Sequence, residues 1–443
     1  MKFYSRNNVL LHNQINDCWI IVRNSIYNIT EFIASHPGGS DILLSRAGED
    51  ATSFFMAKHG RSAGVMNRLE KYKIGELEAS DRINANDFDE PFLIELIDKC
   101  YKEKLYKVPG RLNNPFFWIR LINISLFFML SILALYADVP FYVAIVSSIF
   151  QAIISTSLFG FLAHEATHRN FPKSKTGRVF LNITWPVFWP FISQGPLRYE
   201  HNSHHIKIGD PEFDYEVSAF APVIRYSGHI ETHPKYGSQH KFAKYIYPFY
   251  ANIITTIGGY SSGFWDRHNR KVGVEHTLSV LATLVYFIVI PSLLQGHWLW
   301  FSFLYIIYQC VLFYGIYVGA AINHFVPSVT APIPEEYKNK YAYYNCHNTT
   351  NFCTSSKLWF WYTGGFNIQI EHHLIPFIPV ENLNKLIPIV KQLCIKYNYP
   401  YKSYLTFKEL WDDHYTFLGI FSNNNNVESI SAEMENRNSY QGR

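Results

Sequence analysis

Apolar positions in this chain gather into long unbroken runs as well as into amphipathic stretches. Four runs, near 116–137, 139–163, 277–295 and 298–322, are long enough to cross a hydrocarbon core of roughly 30 Å, which takes about 20 helical residues. Only a short turn around Asp138 separates the first two, and Gly296-His297 the last two, so the pattern predicts two helical hairpins. Lys102, Lys104, Lys107 and Arg111 precede the first run, and Arg169, Lys173, Lys175 and Arg178 follow the second. Arg267, Arg270 and Lys271 precede the third, Lys338 and Lys340 follow the fourth, and neither hairpin tip carries Lys or Arg. This asymmetry places everything outside the tips, both termini included, on the cytoplasmic side. The first residues lack a secretory apolar core, so the hairpins are expected to act as the targeting signal. Arg120, near the start of the first run, is expected to snorkel to the interface. A shorter patch, Val179–Ile192, contains Pro186 and Pro190 and reads as an interfacial or re-entrant segment.

The remaining pattern divides the chain. Residues 1–80 read as a small α+β domain, and 81–114 as a linker with a short amphipathic helix at Phe92, Leu93, Leu96, Ile97 and Cys100. Residues 115–419 read as an all-α membrane domain of four transmembrane helices, with cytoplasmic regions at 164–276 and 323–419. The tail, 420–443, is almost free of apolar residues from Ser422 on and is expected to be disordered. Composition narrows the classes further. Of 443 residues, 48 % are hydrophobic, 17 % aromatic and 17 % charged, which excludes a disordered chain. A net charge of +4 without a long basic stripe excludes a nucleic-acid partner. Six cysteines without a CxxC pair indicate neither a disulfide framework nor a zinc knuckle.

Candidate chemistry begins with His36-Pro37-Gly38-Gly39 and, 23 residues after His36, His59. Two neutral imidazoles can fill both axial positions of a haem iron, which suits electron transfer rather than O₂ binding. Phe54, Phe55 and Met56 are expected to supply apolar wall for the macrocycle. With Trp19 and the Asp50-Ala51-Thr52 run, the segment resembles a cytochrome b5 domain, which implies haem b ligated by His36 and His59.

Histidines then recur in clusters. The second run leads into His164-Glu165-Ala166-Thr167-His168, whose i, i+4 spacing puts both imidazoles on one helix face. His201-Asn202-Ser203-His204-His205 and Gln369-Ile370-Glu371-His372-His373 follow, and Asn323-His324 stands where the fourth run ends. Eight imidazoles exceed the four ligands of a tetrahedral zinc but suffice for two metals. A one-electron carrier on the same chain favours redox-active iron, and a site at the membrane surface favours a lipid C–H bond as target. Asn323, Asp210 and Asp214 are candidates for orienting the rings.

These spacings resemble the membrane fatty acyl desaturases, and the b5 domain with QxxHH is similar to their front-end branch. The resemblance implies a di-iron site held by His164, His168, His201, His204, His205, His372 and His373, with His324 a further ligand and Gln369 a weak oxygen ligand or a hydrogen-bonding neighbour. It implies a cis double bond introduced at Δ5 or Δ6 into a fatty acyl substrate carried on CoA or phospholipid. Electrons would come from NADH through cytochrome b5 reductase, with O₂ as oxidant, among the lipids of the endoplasmic reticulum membrane. Three alternatives remain open at this point: a sphingoid-base Δ8 desaturase, a lipid hydroxylase, and a non-catalytic b5 electron carrier anchored in the membrane.

Overall fold

A computed structural model describes residues 2–423 except 37–39, 61, 84–90, 109, 111–112, 169–171, 173, 191, 211–213, 215–223, 227–232, 244, 246–269, 330–332, 334–336 and 338–339. In the N-terminal part, strands β1 (Phe3–Tyr4), β2 (Asn13–Gln14), β3 (Asp17–Val22), β4 (Ser25–Asn28) and β5 (Lys73–Leu77) form one sheet in the order β1-β5-β4-β3-β2. The two-residue turn between β3 and β4 uses Arg23 and Asn24, both at positive φ, the backbone that a tight hairpin requires. Alternation along β3 sends Ile20 and Val22 to one face and Ile21 to the other. Helix α1 (Arg6–Leu10) sets Val9 against Ile21 and Ile26, whereas Ile20 and Val22 pack with Tyr27, Ile29 and Ile33 under helices α2 (Ser40–Leu44), α3 (Thr52–His59) and α4 (Ala63–Leu69). The Pro37-Gly38-Gly39 turn lies outside the described residues.

Helix α5 (Pro91–Lys102) shows that the segment after this domain is no slack tether. Its Phe92, Leu93, Leu96, Ile97 and Cys100 are buried in the largest apolar cluster, and Phe92 stacks on Tyr399 with ring centroids 4.9 Å apart.

Among the described residues, four helices are long and apolar enough to cross a membrane: Pro115–Tyr136, Phe141–Thr167, Val274–Gln295 and Trp298–His324. The second and fourth extend past the apolar runs, through π-helical turns at Phe159–His164 and Tyr317–Ala321, and so carry histidines on continuous helix. The second is the inner helix of the bundle. Its Ser148 hydroxyl donates to the Leu304 carbonyl at 3.0 Å, and Ser155 pairs with the Tyr308 hydroxyl at 2.6 Å. Gly315 lets the fourth span approach closely, since a Cβ there would lie 2.4 Å from Thr156 Oγ1. Arg120 does not snorkel. It is buried, donating from Nε to the Phe161 carbonyl at 3.0 Å and pairing with Glu381 at 2.6 Å. A carboxylate supplied by the distant C-terminal region gives the buried guanidinium the partner without which its charge could not stay buried.

The proline-containing patch forms helix α6 (Lys175–Phe188), capped by Ser174, with Pro186 in its last turn. It buries Leu181, Trp185 and Phe188 and exposes Val179, Phe180 and Ile183, the two-sided habit of an interfacial helix. Helix α7 (Gln194–His204) follows. After the fourth span come α8 (Tyr341–His347), β6 (Thr350–Phe352), α9 (Lys357–Thr363), α10 (Gln369–Leu374), α11 (Leu383–Tyr397), β7 (Lys402–Tyr404) and α12 (Phe407–Asn423), with β6 and β7 paired in parallel. Helix α12 continues past residue 420, because Ile420 and Phe421 are buried against Phe325 and Phe352. Residues 424–443 of the expected tail lie outside the described residues.

Candidate metal centre

Four segments far apart in sequence bring their imidazoles together. His164 and His168 stand at the end of the second span, His201 and His204 on α7 with His205 just beyond it, His372 and His373 on α10, and His324 at the end of the fourth span. The first and third of these segments meet through glycine. A Cβ at Gly160 would lie 2.5 Å from the Gly364 carbonyl, so only hydrogen at this position lets the chain leading into α10 lie against the second span.

Two groups result. In the first, the candidate donor atoms of His164, His168, His201, His205 and His372 lie within 4.8 Å of one another; in the second, those of His204, His324 and His373 do. Neighbouring histidines split between the groups: His204 from His205, and His373 from His372. Adjacent helical residues point about 100° apart, so one turn of helix serves two centres. The groups abut, with the His205 and His373 rings 4.1 Å apart.

The chemistry of these donors fits metal ions. In the first group Nε2 atoms face one another in series: His168 to His201 at 3.0 Å, His201 to His205 at 3.0 Å, and His205 to His372 at 2.9 Å. Each neutral imidazole carries a lone pair on one ring nitrogen, so rings whose Nε2 atoms face a shared space can turn those lone pairs on a cation. Buried polar atoms normally find a partner. His164 Nε2, His205 Nδ1, both ring nitrogens of His373 and Gln369 Oε1 are buried without a hydrogen bond among the described residues. Burial pushes His168, His201, His205, His372 and His373 well below the usual imidazole range, and neighbouring imidazoles add to it. The rings are therefore neutral, the form that ligates.

Outer contacts fix some of these rings. His204 Nδ1 meets Asp214 Oδ2 at 2.9 Å, and Asp214 also accepts the Gly209 amide at 2.7 Å. Burial alone would raise the Asp214 carboxyl, but His204 first, then the Gly209 amide and His324, together hold the group below its ordinary value. His324 Nδ1 meets the Asn348 carbonyl at 3.1 Å, which leaves Nε2 for the second group. Asp214 thus orients a ring as expected, whereas Asn323 spends its amide on the Gly319 and Phe366 carbonyls at 2.8 and 3.2 Å. Asp210 acts electrostatically on Tyr344.

Further polar groups escaped the sequence reading. Asn351 accepts the Ile370 amide at 2.9 Å and donates to Glu371 at 2.7 Å, and Tyr401 donates to the same carboxyl at 2.7 Å. This anchors α10 from the β6–β7 pair; burial pushes the Glu371 carboxyl up. Glu165 accepts the Val380 amide at 3.4 Å, tying the His164–His168 segment to the chain that carries Glu381. Only its position beside His164 could have signalled it.

At the N-terminal domain, His59 ends α3 and His36 stands directly before Pro37 in sequence. Phe55 lies 4.8 Å from the His59 ring and Phe32 lies 5.7 Å from the His36 ring. Burial first, then His36 and Lys58, bring the His59 imidazole down to about 4, leaving both its nitrogen lone pair and an apolar setting for haem. Phe54 and Met56, expected to line the same pocket, turn away from it. They pack in the apolar cluster of the C-terminal region, because helical residues one apart from Phe55 cannot share its face.

Comparison with known proteins agrees with this arrangement. Residues 140–405 match the family described as fatty acid desaturase, and residues 5–78 match the cytochrome b5-like heme/steroid binding domain. The acyl-lipid (8-3)-desaturase B of Dictyostelium discoideum is 25 % identical over 94 % of this chain and 94 % of its own length. The probable Delta(5) fatty acid desaturase C of the same organism is 26 % identical, covering 96 % of each chain. The Delta(8)-fatty-acid desaturase of Borago officinalis is 25 % identical over 91 % of this chain and 90 % of its own.

Proposed function

The chain belongs to the fatty acid desaturase family and carries a cytochrome b5-like domain ahead of its membrane domain, and on that premise we propose how its residues divide the work. It is a front-end desaturase, an oxidoreductase that acts on a fatty acyl chain and draws electrons through its own b5 domain. His36 and His59 hold haem b. His164, His168, His201, His205 and His372 hold one iron and His204, His324 and His373 the other, with Gln369 Oε1 as a further oxygen donor. Iron in these positions supplies the O₂ activation that breaking an unactivated C–H bond needs.

The balanced reaction takes one O₂, two electrons and two protons, removes two hydrogens from adjacent methylenes, and yields a cis double bond and two waters. Electrons reach the haem from NADH through a separate cytochrome b5 reductase at the cytoplasmic face of the endoplasmic reticulum. The protein's own contribution is positioning. Asp214 and the Asn348 carbonyl set the tautomers of His204 and His324, so that each offers Nε2 to metal. Asn351 and Tyr401 hold α10 in register. An apolar cavity of about 580 Å³, lined by Ile153, Val311, Tyr314, Trp359, Trp361 and Tyr362, lies between the second and fourth spans and α9. It offers an acyl chain an apolar berth of ligand-pocket size.

The observation that carries this reading is the split of eight imidazoles, six of them buried and two partly so, into two abutting groups beside the membrane spans. We place the new double bond at Δ5 or Δ6. A second reading, Δ8, is favoured by the relatives named as Delta(8)-fatty-acid desaturases. Expression in a desaturase-poor host fed a panel of fatty acids and long-chain bases, with the double bond located by mass spectrometry, decides between them. Hydroxylated product without alkene, or no new lipid at all, would overturn the desaturase reading. His36→Ala should abolish haem binding and keep iron, whereas His204→Ala should do the reverse.

A further inference from the structure

Helix α3 has two faces with different neighbours. Phe55 and His59, four apart, face the haem pocket. Phe54, Ala57 and Lys58, spaced i, i+3 and i+4, form the opposite face. Ala57 is fully buried and Phe54 nearly so, in the same apolar cluster as Leu96, Tyr341 and Ile370. The Phe54 ring meets the Tyr341 ring edge-on at 5.1 Å. Tyr341, itself fully buried, donates its hydroxyl to the backbone carbonyl of His373 at 2.5 Å. Lys58 lies on this face too, its Nζ buried without a hydrogen-bond partner among the described residues.

We propose that Phe54 and Tyr341 form the bridge by which electrons pass from the haem helix to the second histidine group. The proposal rests on the division of roles given above. In each transfer one electron leaves ferrous haem and arrives at ferric iron, so the first is oxidised and the second reduced, and no bond or proton moves. Tunnelling weakens far more steeply across gaps than along bonded atoms. From His59 the route runs along the α3 backbone to Phe54, crosses one ring contact to Tyr341, and crosses one hydrogen bond to His373. Both residues are positioning residues: Phe54 acts through Tyr341 and Tyr341 through the His373 carbonyl, and each shortens a gap.

The test uses the full chain in nanodiscs of dilinoleoyl phosphatidylcholine with linoleoyl-CoA added. The haem is reduced with NADH and soluble cytochrome b5 reductase, the protein is mixed with oxygenated buffer, and haem reoxidation is followed by stopped-flow absorbance. Tyr341→Phe removes the hydroxyl bond and keeps the ring; Phe54→Leu removes the ring and keeps apolar packing. Both should slow reoxidation several-fold while haem content, iron content and haem midpoint potential stay at wild-type values. Tyr341→Phe decides alone if Phe54→Leu perturbs either content, since it deletes a single oxygen atom. Wild-type reoxidation rates in the variants, with reoxidation intact in the parent protein, would overturn the bridge and leave the assigned activity standing. A parent protein whose haem stays reduced would instead sink the activity and the bridge together.

Discussion

The five imidazoles of the first group and the three of the second are held by different means. In the first, rings are packed against one another and the Nε2 atoms face in series, with the second span and α7 as rigid supports. In the second, three rings 4.7–5.1 Å apart are aimed from outside as well, His204 by Asp214 and His324 by the Asn348 carbonyl. A crowded group tolerates the loss of a member, since the rest still surround the space. A sparse group depends on each ring and on whatever aims it.

The sharpest way to break this comparison is to delete one ring from each. His373→Ala leaves two imidazoles in its group and should lose that iron and all desaturation. His168→Ala leaves four, the number a tetrahedral centre needs, and should keep more metal. Iron per chain by mass spectrometry, beside product formation, checks the order; equal losses would mean that the groups act as one. A smaller effect is expected from Asp214→Asn, which keeps shape but removes the carboxylate that orients His204. Loss of such an outer partner typically costs about 10–100-fold in metal affinity, and competition with a chelator should show it for one of the two irons only.

The mildest test concerns His414, which pins α12 to the end of the fourth span next to His324. Its Nδ1 meets the Phe325 carbonyl at 2.7 Å and its Nε2 meets the Tyr317 hydroxyl. Burial brings this imidazole from 6.5 down to about 4, against the small upward pull of the Phe325 carbonyl. The unfolded chain therefore binds a proton that the folded chain refuses between these values. The stability His414 contributes is fully present above its unfolded value of 6.5 and falls as pH drops toward about 4. Thermal unfolding of iron-loaded protein should show a smaller drop in midpoint from pH 7 to pH 5 in His414→Gln than in the parent; identical slopes would remove His414 from the account.

What could be read in the amino-acid order was what depends on near neighbours. Apolar runs announce spans, and i, i+4 histidines announce a shared helix face, because both follow from helical periodicity alone. Asp214 was also visible, ten residues from His204. Contacts between distant segments were not. Arg120 looked like a residue seeking the interface because its partner, Glu381, lies 261 positions away. Phe54 looked like haem wall because Tyr341 belongs to another part of the chain. The assignment of each histidine to one group or the other was likewise hidden, since it depends on how the four segments meet.

The π-helical turns in the second and fourth spans have a consequence for where the residues beyond them point. Each adds a residue to one turn, which rotates everything beyond it by about 100° relative to an unbroken α-helix. Below Phe159 the second span meets its bundle neighbours through serine hydroxyls; above it, the same helix presents His164 to a cage of imidazoles. Without the added residue that ring would face a different quarter. The reactive end of the helix is thus phased by the length of its backbone, which side-chain identity alone does not set.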